Sequence, residues 1–410
     1  MFKNINCKNL PSLRRNIVYQ FLYELLIVFI PLFTIPYVSR VLGAENIGLF
    51  SYTYAVANYF VLFANLGIKN YGSRTIAMVR NNKEELNRNF SEILSIHIIF
   101  SIIVIFVYLV LLFFFVEDNL VIFLIQSIYV FAAVFDINWF FFGIEKFKLT
   151  VGRNTLVKIL SVFLVLVFVK TQTDLWIYAL ILALSVFVGQ SVVWFALKQY
   201  VSWRRPSWAN MKQHIRPLFV LFLPILALSL YKYMDKIMLG SISSNVQVGF
   251  YENAEKIINV PMSLIMAFGV VLMPRIANMV TSKDKGEVFK LIDMSMEAVM
   301  LLAIAISFGL AGISFVLAPI FFGYEFEECG ILIMGLAVTV PFMAFANVIR
   351  TQYLIPYKED KIFVVSLFLG AAVNLIVNII LIPYMAARGA VIGTIFAEII
   401  VCIYQSYFVR

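Results

Sequence analysis

Between Tyr231 and Lys256 the chain reads YKYMDKIMLGSISSNVQVGFYENAEK and carries three cations and three carboxylates: Lys232, Asp235, Lys236, Glu252, Glu255 and Lys256. Each trio is spaced i, i+3, i+4, which sets its members on one helix face. The uncharged segment Ser241–Val248 can fold the two helices back and bring the trios to similar depth. Charges gathered this way can do two kinds of work. They can neutralise one another as a structural network, or they can wall a path for a charged substrate. Both readings stay open from the residues alone.

The flanks make the cluster unusual. Leu218–Leu230 and Ile257–Met273 hold no charged residue, so the six charges are expected within or close to a bilayer. One charge at the centre of a membrane helix costs about 3 kcal/mol on insertion scales. Six facing lipid would cost roughly 18 kcal/mol, more than the whole stability of a typical domain. They are therefore expected to face protein or a wet cavity.

The rest of the composition agrees with a membrane setting. Of 410 residues, 62% are hydrophobic and 13% charged, against about 45–50% and 25% in soluble domains. The expected class is an all-α polytopic membrane protein. Met1–Asn16 is polar and basic and leads straight into a span, so no cleavable signal peptide is expected. Cys7, Cys329 and Cys402 lie far apart, which argues against a disulfide framework or a metal site. The net charge of +9 is read as an orientation signal, with no nucleic-acid partner and no cofactor expected.

Apolar runs between charged breaks predict about twelve spans: 17–39, 47–68, 91–116, 120–143, 150–170, 174–197, 216–240, 248–273, 288–318, 330–354, 362–384 and 389–409. With the N-terminus in the cytoplasm, 26 of the 32 basic residues fall on the inner side and only Arg40, Lys170 and Arg388 on the outer. The remaining three are the lysines of the central cluster. Both termini are thus expected inside.

The chain also repeats. Leu42-Gly43 and Leu239-Gly240 follow basic residues in similar contexts. Gly48 stands 26 positions before Arg74, and Gly249 stands 26 before Arg275. Spans one and two then correspond to seven and eight. The expected organisation is two parallel six-helix lobes, 1–200 and 217–410, joined by a cytoplasmic linker at 201–216. Transporters use such repeats around a central site.

Other features are weighed the same way. Pro31, Pro36, Pro217, Pro224, Pro261 and Pro274 are tolerated kinks or hinges. Glu24, Asp136 and Glu398 are intramembrane acids that are ion-paired, cap a helix, or bind a coupling proton or sodium ion. Asp136, near a span end, favours capping. His97 is read as a satisfied core residue and His214 as part of a basic loop. No catalytic constellation appears, so no enzyme is expected.

Five short motifs carry a resemblance. PYVSRVLG at Pro36–Gly43, DINWFFFGIE at Asp136–Glu145, DKIMLG at Asp235–Gly240, GFYENAEK at Gly249–Lys256 and Pro274-Arg275 resemble those of the Wzx-type polysaccharide repeat-unit flippases. The resemblance implies a fold like that of the multidrug (MATE) exporters, with a V-shaped central cavity. It also implies flipping of undecaprenyl-pyrophosphate-linked O-antigen or capsule units to the outer leaflet of the bacterial inner membrane. Membrane lipids and the polymerase and chain-length proteins of such a pathway become candidate partners. For that cargo, Lys232, Lys236, Lys256 and Arg40 are candidate phosphate contacts. Tyr231, Tyr233 and Tyr251 are candidates for sugar rings, with Asp235, Glu252 and Glu255 as the counter-charge network. The rivals are a drug or cation antiporter of the same superfamily, and a polytopic O-antigen polymerase or glycosyltransferase. An antiporter would favour an acid-dominated cavity, and the enzymes a large outer loop or a soluble catalytic segment.

The basic-residue asymmetry generates a direct test. Reporter fusions at Asn210 and Ser244 should report opposite faces, with Asn210 inside; the same face for both would refute the topology.

Overall fold

The computed structural model describes residues 10–281 and 285–409. Within these, the side chains of 10–31, 147–148, 231, 270–271, 281 and 285 are outside the described ones. The described residues are helical apart from short connections, with no strand among them. Among the described residues, eleven helices are long and apolar enough to cross a membrane. The first of these, Leu32–Val79, is counted once although it is broken inside. Its first part belongs to α1 (Leu10–Asn65), where Gly43 stands at φ 77° and ψ 172°. That backbone is open to glycine and strained for other residues. The two spans expected at 17–39 and 47–68 are therefore joined by a glycine kink instead of a loop, and the count lies at eleven to twelve.

Two compact units form. One takes the chain up to Ile35 together with Val56–Phe222; the other takes Pro36–Ala55 with Leu223 onward. The units differ from the lobes expected at 1–200 and 217–410 mainly in Pro36–Ala55, which packs with the second set of helices. The physical reason lies in the repeat glycines. A Cβ on Gly48 would stand 1.6 Å from the Asn245 carbonyl oxygen, and one on Gly249 would stand 2.1 Å from the Ala44 oxygen. Only hydrogen at both positions lets the two backbones pass. Around them the Asn253 amide donates to Ser39 Oγ at 2.9 Å, and the Ala44 N–H donates to Glu325 at 2.8 Å.

In the first unit, α2 (Ile68–Val79) packs on α5 (Asn138–Gly143), while α3 (Lys83–Phe115), α4 (Leu120–Val134) and α7 (Leu175–Leu197) pack in sequence, with α6 (Phe147–Phe168) against α7. Asn82 caps α3 by accepting from the Glu84 and Glu85 N–H groups, and those two acids suit the positive end of the helix. The tryptophan-phenylalanine motif is core: Trp139, Phe140 and Phe141 are buried, and Phe90 stacks on Trp139 at 5.6 Å.

The second unit is built from α8 (Trp208–Ile242) beyond Phe222, α9 (Asn245–Thr281), α10 (Lys285–Phe322), α11 (Cys329–Ala337), α12 (Thr339–Val348), a π-helical turn at Ile349–Leu354, α13 (Asp360–Met385) and α14 (Ala387–Val409). Both units are inverted relative to a soluble protein. Phe113, Phe115, Leu301 and Phe308 are about four-fifths exposed, while Glu92, His97, Gln126, Asn374 and Asn378 are buried. Lipid accepts the first group, and only the interior can partner the second.

The glycine contact sets a measurable cost. Replacing Gly48 with Ala should destabilise the purified protein by about 1–3 kcal/mol, the usual range for overpacking. Gly152→Ala, where a Cβ meets nothing within 4 Å, should leave the melting temperature within a degree or so of the parent's. Equal melting temperatures for all three proteins would overturn the contact.

Candidate functional site

The predicted trios do meet. α8 ends at Ile242 and α9 starts at Asn245, so the turn is shorter than Ser241–Val248 and the helices form a tight hairpin. Lys236 Nζ lies 2.5 Å from Glu252 and 2.7 Å from Glu255, and Lys256 Nζ lies 3.1 Å from Glu252. Four of the six charges thus form one network in which Lys236 is central and 7% exposed.

The remaining two take separate directions. Asp235 is buried and accepts from Tyr251 Oη at 2.6 Å, from the Asn378 amide at 2.6 Å and from Thr394 Oγ1 at 3.1 Å. Asn378 also donates to Asn374, and the single Thr394 hydroxyl hydrogen has the Ala390 carbonyl as an alternative acceptor. Oxygen and amide groups alone surround this carboxylate. Such groups suit a hard cation over a soft one; here the donors are spent on one another, while the buried Asn378 Oδ1 has no hydrogen-bond partner among the described residues. Among the described residues, no cluster of three His, Cys, Asp or Glu side chains could hold a metal.

Lys232, one turn before Lys236, is exposed, with its ammonium 5.3 Å from the Tyr233 ring centre. It lines a cavity of about 380 Å³ with Glu255, Asn259, Asn347, Arg350, Phe363, Glu398 and Gln405. Arg350 sits on the π-helical turn. Its guanidinium lies 4.4 Å from the Phe363 ring centre, and its buried Nε has no hydrogen-bond partner. Glu255 is engaged with Lys236. The cavity wall therefore presents two cations from different helices beside amides and an aromatic face.

Several expected site residues lie elsewhere. Tyr251, expected at a sugar ring, is 3% exposed and held on Asp235, because a buried carboxylate needs its hydroxyl. Arg40, expected at a phosphate, donates to the Ile320 carbonyl at 2.5 Å, away from the residues of that cavity. Asp136 accepts from the Asn138 N–H and side-chain amide at 3.1 and 2.6 Å, which is the capping alternative. Glu398 lines the cavity. The side chains of Glu24 and Tyr231 lie outside the described ones. His97 is fully buried with neither ring nitrogen hydrogen-bonded among the described residues, so it is not the satisfied core residue expected. His214 lies inside α8, where it is buried and bonded to Glu92 and Tyr71 at 3.0 and 2.6 Å. Sequence reading missed Arg350 because it was counted with Lys358 and Lys361 as an orientation signal near a span end; the signal was an arginine inside the apolar run 330–354.

Comparison with known proteins then decides the family. Residues 13–280 match the family described as "Polysaccharide biosynthesis protein". The chain belongs to this family. A relative from Shigella dysenteriae, provisionally named an O-antigen transporter, is 24% identical, and the match covers 96% of this chain and 99% of the relative. The solved lipid II flippase MurJ in an inward closed conformation superposes with a TM-score of 0.76 at 14% identity, covering 96% of this chain and 87% of that one. An inward-facing multidrug transporter of the MATE family superposes with a TM-score of 0.67 at 14% identity, covering 95% and 98%. The fold of this polysaccharide biosynthesis protein is thus shared with MurJ and MATE transporters, and it is a multi-pass membrane protein.

The two kinds of lysine should separate on mutation. Lys236→Leu leaves Glu255 unpaired and Glu252 with Lys256 alone, and should cost about 3–5 kcal/mol, seen as lost expression and a lower melting temperature. Lys232→Leu should leave both nearly unchanged.

Proposed function

We propose that this family member is a flippase for lipid-linked oligosaccharide repeat units, moving undecaprenyl-pyrophosphate-linked O-antigen or capsule units from the inner to the outer leaflet of the bacterial cytoplasmic membrane. The observation that carries the reading is the cavity where Lys232 and Arg350 face a space lined by Asn259, Asn347, Gln405 and Phe363. The relative named as an O-antigen transporter and the fold shared with a lipid II flippase support the same class.

The chemistry of the cargo explains the wall. A diphosphate and a glycan cannot enter hydrocarbon alone, because each charge and hydroxyl would lose its water without replacement. Lys232 offers a compact cation, and Arg350 a planar fork that pairs two oxygens at once. The amides can serve hydroxyls, and Phe363 a sugar face. Lys236, Lys256, Glu252 and Glu255 hold the hairpin that aims Lys232. The prenyl tail stays in lipid. Alternating exposure of the cavity to the two membrane faces completes transport, and Glu398, on the same wall, is the acid placed to couple it to a proton or sodium ion.

The reading is tested in cells whose own flippase has been deleted, with this chain as the sole source. Lys232→Ala and Arg350→Ala each remove a charge-assisted contact of about 1.5–3 kcal/mol. Each should lower surface polysaccharide tenfold or more at normal protein level, and the double variant should abolish it. Lys170→Ala, in a turn remote in sequence, should export normally. Full export by the well-expressed double variant would refute the reading.

A further inference from the structure

A second cavity lies in the first unit, outside everything used above. Its volume is about 710 Å³, and its walls come from α2, the start of α3 and the start of α8. This falls in the range of about 300–1,000 Å³ common to small-molecule sites. Arg74, Arg88 and Arg216 line it, one from each helix, with the amides of Asn89 and Gln213. No carboxylate is among its lining residues.

The arginines are not consumed by structure. Arg80 is paired with Glu145 at 2.5 Å, and Arg153 donates to Gly189 and Asn138. Among the described residues, no carboxylate lies within ion-pair distance of Arg74, Arg88 or Arg216. The nearby acid Glu92 is already saturated: one oxygen accepts from Asn210 at 3.0 Å, and the other is bonded to His214. His214 is held in turn by Tyr71. This buried chain ties α2, α3 and α8 together and fixes the cavity floor. Three positive charges therefore line a hollow with no carboxylate in its wall.

The other side of the hollow is apolar. Met78, Val220, Leu221 and Pro217 line it, with Met78 69% and Val220 57% exposed. A soluble anion would use the arginines and leave that surface bare. A lipid would use both, with phosphate on the guanidinium forks and chain on the apolar wall. The basic-residue pattern expects all three arginines on the inner face, level with lipid headgroups.

We infer that this cavity binds the phosphate head of a membrane lipid, with Arg74, Arg88 and Arg216 as its ligands. The head can belong to an anionic phospholipid or to a polyprenyl diphosphate; both present the same oxygens. The inference stands apart from the transport reading.

Binding to the purified full-length protein is measured by native mass spectrometry. The probes are phosphatidylglycerol, phosphatidylcholine of the same chains, undecaprenyl diphosphate and inorganic pyrophosphate. Phosphatidylglycerol or undecaprenyl diphosphate should bind at least tenfold tighter than phosphatidylcholine, and whichever is tighter names the source. The triple Arg74→Gln, Arg88→Gln, Arg216→Gln protein should lose that preference tenfold or more. Lys198→Gln, an exposed cation outside the cavity lining, should keep it. Added salt should weaken the preference, since the pairs are exposed. The three arginines are surface residues, and unchanged melting temperatures without lipid exclude a folding effect; the single variants serve if the triple one melts early. Equal preference in the triple and parent proteins would overturn the inference, as would pyrophosphate binding as tightly as either lipid.

Discussion

A lysine buried between two glutamates governs this structure. Lys236 sits against Glu252 and Glu255 where water is scarce, and removing it leaves Glu255 with no ion-pair partner among the described residues. Desolvating them is costly, and only close pairing offsets it. The consequence is geometric. The α8–α9 hairpin must close tightly, and residues on neighbouring positions must find different partners. Asp235 stands about 100° around the helix from Lys236, so it cannot share that network. It is met instead by Tyr251, Asn378 and Thr394. One pentapeptide, Lys232–Lys236, thus ties α8 to α9, α13 and α14 and still leaves Lys232 on the cavity wall.

The same constraint orders the first unit. Glu92 is 1% exposed in a helix whose lipid face is Ile and Phe. Its partners come from α8, some 120 residues later, and they bring Tyr71 with them. Polar groups act as the long-range fasteners here, because apolar side chains are as content in lipid as in the core. Van der Waals contact then fills what the fasteners bring together, as in the Phe90, Trp139 and Phe140 group.

Much of this was legible in the sequence. Span number and the charged hairpin followed from apolar run length and i, i+3, i+4 spacing, which are local properties. The assignment of roles within the hairpin was not legible. Tyr251 and Tyr233 look alike in sequence, yet one is committed to Asp235, and only tertiary partners on α13 and α14 decide that. Arg350 was hidden for a related reason. A cation near a span end serves equally as an orientation signal, and its place on a cavity follows from the π-helical turn, which no spacing rule announces. His214 read as a loop residue because its buried partner Glu92 lies far away in sequence.

The repeat carries a further physical lesson. Gly48 and Gly249 occupy equivalent places in the two copies, and in the structure they meet. At such a point both chains need the same small residue, so glycine appears twice. Around this contact, all inside the second unit, lie the neutral Asn253–Ser39 bond and the Glu325 bond to an N–H. Neutral hydrogen bonds contribute only about 0.5–1.5 kcal/mol each. The Lys236 cluster is the opposite case, since opening it would expose unpaired charge to lipid. Within the second unit the chain therefore combines a close glycine contact with a charged network confined to a single hairpin.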